Sequence, residues 1–139
     1  MQRFILLAAF YVLSFIKGYA QDAHSITVNF KGLEANKGDV YVALYNTEAS
    51  FLKTPFKGAI VKVNNLKATA VFENIPAGEY AISAFHDEND NKKMDTRIFG
   101  IPKEPIAISN DAKGFMGPPK YNDAKFTVDE DKNLTVKFN

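Results

Sequence analysis

The chain contains no cysteine. Disulfide staples, thiolate metal ligands and a cysteine nucleophile are all excluded, and the fold must rest on its core. Basic charge is in surplus by only one, since 17 Lys and Arg face 16 Asp and Glu. No field is left to draw in nucleic acid or an anionic membrane. The apolar run at residues 4–16 falls short of the about 20 residues a membrane-spanning helix needs. Nor does any later segment carry a helical apolar stripe.

The first twenty residues carry Arg3, then that apolar run, then Gly18, Tyr19 and Ala20, with small residues flanking a cleavage site. This is the layout of a secretory signal peptide. It predicts cleavage after Ala20 and a mature chain of residues 21–139 forming one domain. It also predicts a secreted or periplasmic location, with no transmembrane segment once the signal is gone. Cleavage removes Arg3 and Lys17 and no acidic residue, so the mature chain is slightly acidic.

The remainder reads as short strands. Ile26, Val28 and Phe30 alternate with Thr27, Asn29 and Lys31, the period of a half-buried strand. Residues 40–45 are nearly continuous in apolar character and predict a central strand buried on both faces. Residues 59–63, 68–72, 80–85 and 106–108 predict further strands. Between the fourth and fifth, Pro76 and Gly78 stand at the second and fourth positions of a tight turn. Residues 125–128 and 134–138 predict a closing hairpin, and residues 109–123 read as irregular. Phe51, Leu52 and Phe56 are expected to cover an open end of the core. The fold class is all-β, an antiparallel β-sandwich of about seven or eight strands.

One loop carries candidate chemistry. Asp87, Asn89, Asn91 and Asp95 fall at positions 1, 3, 5 and 9 of an EF-hand-like calcium loop, and Lys93 would offer its backbone carbonyl at position 7. Calcium takes six to eight hard oxygens, and short Asp and Asn side chains at alternate positions can wrap a chain around it. Position 12 is Ile98 instead of a bidentate Glu, with Glu104 as a distal substitute. Position 6 is Lys92 instead of Gly, so Asn91 is expected to take the left-handed conformation. The competing reading is a loop of Asx-turns in which Asp and Asn bond their own backbone. His86, Asp87 and Ser109 suggest a hydrolase triad, but no nucleophile elbow surrounds Ser109. Phe115 and Met116 form either an exposed apolar tip with Tyr121 nearby or a plug on the end of the sandwich.

The run Phe72-Glu-Asn-Ile-Pro-Ala-Gly-Glu-Tyr80 resembles the turn of prealbumin-like sandwiches, which include the regulatory modules of carboxypeptidases. A longer set of segments resembles the exported bacterial domain-of-unknown-function family 2141. It comprises residues 86–95, Gly100-Ile-Pro-Lys-Glu104, Ser109-Asn110, Gly117-Pro118 and Ala124-Lys-Phe126. That resemblance implies a small exported sandwich with no established activity. It departs at Asp90 and Lys92, where the family usually carries Gly, and at residues 105–108, which replace an aromatic Gly-Tyr-Gly-Phe step. Hydroxyisourate hydrolases share a similar sandwich but need several converging His and Arg residues that are missing here. The expected function is a non-enzymatic binding module of the cell envelope, taking another envelope protein, a glycan or a small ligand. The alternatives are a structural module whose loop is stabilised by calcium and a hydrolase using His86.

Overall fold

A computed structural model describes residues 22–139. The expected signal peptide and the mature start at Gln21 lie outside the described residues. Eight strands are present: β1 (Ala23–Lys31), β2 (Asp39–Tyr45), β3 (Lys57–Lys62), β4 (Ala68–Pro76), β5 (Gly78–Asp87), β6 (Ile106–Ile108), β7 (Phe126–Val128) and β8 (Lys132–Lys137). They form a three-stranded sheet in the order β4-β1-β8 and a five-stranded sheet in the order β3-β2-β5-β6, with β7 also paired to β5.

Alternation along β1 sends Ile26, Val28 and Phe30 inward, where Ala70 and Phe72 of β4 and Val136 of β8 join them. Val40, Val42 and Leu44 of β2 and Ile82 and Ala84 of β5 meet them from the opposite sheet. Two half-buried faces are thus closed into one core, the arrangement of a sandwich.

The chain crosses between the sheets at a sharp bend on Ala77, where a regular tight turn was expected. Tyr80 holds this corner, its hydroxyl donating to the Pro76 carbonyl at 2.7 Å. A buried phenol bonded a few residues upstream is a recurring corner device in sandwiches, and it gives the Phe72–Tyr80 run a physical role.

Three further expectations fail. Residues 126–128 and 132–137 are strands but not a hairpin: β7 pairs with β5, and β8 runs parallel to β1, so the two belong to different sheets. The sandwich is therefore antiparallel except at one pair. Strand β2 is not sealed on both faces, because Tyr41 and Ala43 point away from the core and are only half-buried. Residues 109–123 are not wholly irregular, since Tyr121–Ala124 forms a single helical turn, α1. Phe51 does plug a second small cluster with Tyr45, Ile108 and Tyr121, while Leu52 and Phe56 remain exposed.

Candidate functional site

The loop leaving β5 brings together four of the sequence-predicted side chains. Asp87 is fully buried, and its two carboxylate oxygens accept the backbone N–H groups of Asn91 at 3.2 Å and Lys92 at 2.8 Å. The Asn89 and Asn91 amides both donate to the Asp95 carboxylate, at distances of 2.6 to 2.9 Å. Their own carbonyl oxygens accept the N–H of Asn91 and Lys93, each at 3.2 Å. Lys93 is thus drawn in through its N–H.

Left-handed backbone falls on Asp90 and Lys92, with φ of 57° and 65°. Asn91, expected to supply that conformation, does not. The short polar side chain of Asn91 is instead used within the network, and the turn falls on its neighbours. Among the described residues no three or more His, Asp or Glu side chains are grouped so as to hold a metal ion.

Hydrogen bonds from Asn89 and Asn91 hold the Asp95 carboxyl below the usual carboxylate range. Glu104 accepts the Asp95 N–H at 3.2 Å. Burial first, then the charges of Asp87 and Asp95, push its carboxyl up. Its Oε1 is buried with no hydrogen-bond partner.

The hydrolase triad does not assemble. His86 lies fully buried with Nε2 2.6 Å from the Lys37 carbonyl, and its Nδ1 is 3.5 Å from the Glu88 carboxylate. The Ser109 hydroxyl accepts the Ile82 N–H at 2.9 Å and donates to the Ala124 carbonyl at 2.6 Å. Ser109 and the Nε2 of His86 are thus spent tying loops to the sheet, while the buried His86 Nδ1 has no hydrogen-bond partner. Gly38 completes this corner: at φ 69°, a Cβ there would sit 1.9 Å from the Asp87 carbonyl oxygen.

A second feature, which sequence reasoning missed, lies on the outer face of the five-stranded sheet. Strand register aligns Ile60, Tyr41, Phe85 and Ile106 in one row across β3, β2, β5 and β6. Tyr41 and Phe85 stack at 4.9 Å between ring centroids with planes 11° apart. Two positions along the strands, a parallel row holds Gly58, Ala43, Ser83 and Ile108. Its first three side chains are small, so this row forms a trough beside the aromatic one. Four neighbouring strands give the trough a length of roughly 14 Å.

Two loops wall it. Residues 95–103 form a narrow hairpin, with Arg97 N–H bonded to the Ile101 carbonyl at 2.7 Å and Lys103 N–H to the Asp95 carbonyl at 2.8 Å. Its tip exposes Ile98 and Phe99. Residues 112–119 form the other wall. They fold back tightly at Gly114, where a Cβ would lie 1.7 Å from the Gly117 carbonyl oxygen. The half-open cleft between them has a volume of about 1430 Å³, more than the about 300–1,000 Å³ of ordinary small-molecule sites.

Tyr45 and Ser83 meet at its floor, hydroxyl to hydroxyl at 3.2 Å. Lys113 is the one residue with a charged side chain among those lining it. Phe115 and Met116 are 91% and 95% exposed beside the cleft, so they form the tip and not the plug. Tyr121, the first residue of α1, is buried against Phe51 and does not share in that tip.

The sequence held a signal for this cleft in residues 40–45. A run with apolar residues on both faces fits a strand with core on one side and a ligand floor on the other. A strand buried on both sides gives the same pattern, which is why the cleft could not be read from it.

No curated protein and no solved structure matches the chain. The domain family described as an uncharacterized protein conserved in bacteria, DUF2141, matches residues 28–137, from within β1 to the end of β8. The chain belongs to this bacterial domain family, whose match takes in nearly the whole sandwich and both loops that wall the cleft.

Proposed function

We propose that the protein is an exported, non-enzymatic binding module of the bacterial envelope, and that its cleft takes the apolar body of an amphipathic small ligand. The supporting observation is the outer face of the five-stranded sheet. A stacked Tyr41–Phe85 pair runs beside a trough of small residues, between two loops that flank a half-open cleft of about 1430 Å³. Sheets that cover this face with helices or a second sheet bury it, whereas here its apolar side chains line open space. Apolar lining with a few convergent polar groups is the usual make-up of a ligand site.

Lys113 at the edge of the cleft and the Tyr45–Ser83 hydroxyl pair on its floor favour an anionic or hydroxylated head on that ligand. A long-chain fatty acid has this chemistry. A glycan fits less well, because few side chains in the cleft donate or accept hydrogen bonds. Export is supported by the signal-like pattern of residues 1–20. Placement among prealbumin-like sandwiches is supported by the Phe72–Tyr80 corner.

Gly58→Phe tests the reading. Gly58 is exposed, and a Cβ there meets only the Val42 carbonyl oxygen at 3.7 Å, so the ring fills the trough without disturbing the core. Titration with a fluorescent long-chain fatty acid should give saturable binding that falls at least tenfold in the variant. Equal binding by both proteins, or none by the wild type, rejects it.

A second reading rests on a separate observation, the convergence of Asp87, Asn89 and Asn91 with Asp95. Rotation of the two amides would turn their carbonyl oxygens toward the Asp95 carboxylate and offer calcium a hard-oxygen set. Calcium would then stabilise the stem of the hairpin that walls the cleft. Calorimetric melts in millimolar calcium and in chelator separate this from a loop closed by its own hydrogen bonds. Identical midpoints reject it.

A further inference from the structure

The cleft's two walls share a property that the ligand reading does not use. Each ends in large apolar side chains held out in solvent: Ile98 and Phe99 on one, Phe115 and Met116 on the other. Phe99 is 97% exposed and Met116 95% exposed. Aromatic and thioether side chains stay this exposed in a small domain against a substantial solvation cost, and adjacent ones mark contact surfaces.

Both loops also carry mostly basic charge. The hairpin of residues 95–103 holds Arg97 and Lys103, with Asp95 at its base bonded to the Asn89 and Asn91 amides, and residues 112–120 hold Lys113 and Lys120 with no Asp or Glu. None of these four basic side chains takes part in an ion pair among the described residues. The near balance of 17 basic against 16 acidic residues in the whole chain conceals this segregation.

We propose that the two loops dock the protein on an anionic lipid surface. Ile98, Phe99, Phe115 and Met116 enter the interfacial layer, and Arg97, Lys103, Lys113 and Lys120 lie against the headgroups. Both loops border one cleft, so one membrane plane can take both tips together. Charge complementarity selects the partner. Unpaired cations beside apolar tips match a surface with negative headgroups above a hydrocarbon layer, and basic residues near such a surface strengthen binding roughly fivefold each. A docked protein would have the cleft mouth at the bilayer, where acyl chains are concentrated. The docking itself does not depend on the cleft holding a ligand.

The test uses residues 22–139, which contain all eight strands and both sheets but not the apolar run at 4–16, which would partition into vesicles by itself. Flotation is measured with vesicles of phosphatidylcholine alone and with vesicles containing about one-third phosphatidylglycerol. The anionic vesicles should bind at least tenfold more protein, and added salt should reduce the difference. Phe99→Ser with Met116→Ser should lower binding at least tenfold. Arg97→Gln with Lys113→Gln should lower binding to the anionic vesicles alone. All four side chains are exposed, so melting midpoints should stay at the wild-type value and rule out misfolding as the cause.

Equal uptake by both vesicle types, or unchanged uptake by the apolar double variant, overturns the proposal. So does a wild-type dimer in sedimentation that the apolar double variant dissolves while vesicles take up neither protein, since the surface would then join two copies. Gly58→Phe should float as the wild type does, which keeps failure of docking distinct from failure of the ligand site.

Discussion

Replacing Asp87 with alanine should destabilise the protein strongly even where no metal is present. Reading Asp87 as an exposed first ligand of a calcium loop leads to the opposite expectation, a loss of metal response with the metal-free protein untouched. Its burial reverses this. The side chain has no exposure and accepts two backbone N–H groups, from Lys92 at 2.8 Å and Asn91 at 3.2 Å. Hydrogen bonds to a charged acceptor contribute about 1.5–3 kcal/mol each.

The Asn91 bond counts at the low end, because that N–H also donates to the Asn89 side chain at 3.2 Å. Relief of repulsion with Glu104 offsets part of the loss. The net cost should be about 2–4 kcal/mol, by the same magnitudes. For a domain of this size that lowers the melting midpoint by roughly 10 °C. Asp87→Asn keeps one acceptor and should fall between the two. Calorimetric melts in chelator decide the matter, and an Asp87→Ala midpoint within about 2 °C of the wild type would refute the anchoring role.

Lys92→Gly should stabilise the protein by about 0.5–1 kcal/mol in urea titrations, because Lys92 holds a φ of 65° that glycine adopts without a Cβ clash. Gly38→Ala should cost more than about 3 kcal/mol, since the new Cβ would overlap the Asp87 carbonyl; ordinary urea midpoints for this variant would contradict the packing. Tyr80→Phe should cost about 1 kcal/mol by losing the Pro76 bond, measured in the same titrations. Glu104→Gln should raise the melting midpoint at pH 7 and leave it unchanged near pH 4. The folded state raises the Glu104 pKa, so the stability linked to its proton is present below about pH 4 and is lost as pH rises through the elevated value. A midpoint gap that does not widen with pH would remove the cause assigned to it.

Much of the sandwich was legible because its core strands alternate cleanly, as Ile26, Val28 and Phe30 do in β1. The pairing of β7 and β8 was not. Two apolar strands separated by Asp129 to Asn133 look like a hairpin locally, and only the sheet decides that β8 joins β1 in parallel while β7 joins β5.

The loop residues were found by their spacing, yet their spacing could not tell ligands from Asx-turn acceptors. Both arrangements need short oxygen-bearing side chains at alternate positions. Asp90 and Lys92, the two positions at which the resemblance implied glycine, are the two in this loop that adopt positive φ. The cleft was hidden because its floor is assembled from four strands spread over residues 39–108. Gly58, Ala43 and Ser83 are unremarkable singly and form a trough only in register.

The most direct test of the binding role is a two-dimensional amide NMR titration of residues 22–139 with a long-chain fatty acid. Binding in the cleft should give saturable shifts at Tyr41, Ala43, Ser83, Phe85 and Lys113, all lining it, with the inner β1 residues Ile26 and Val28 unmoved. Shifts confined to the 87–95 loop, or none at all, would contradict it.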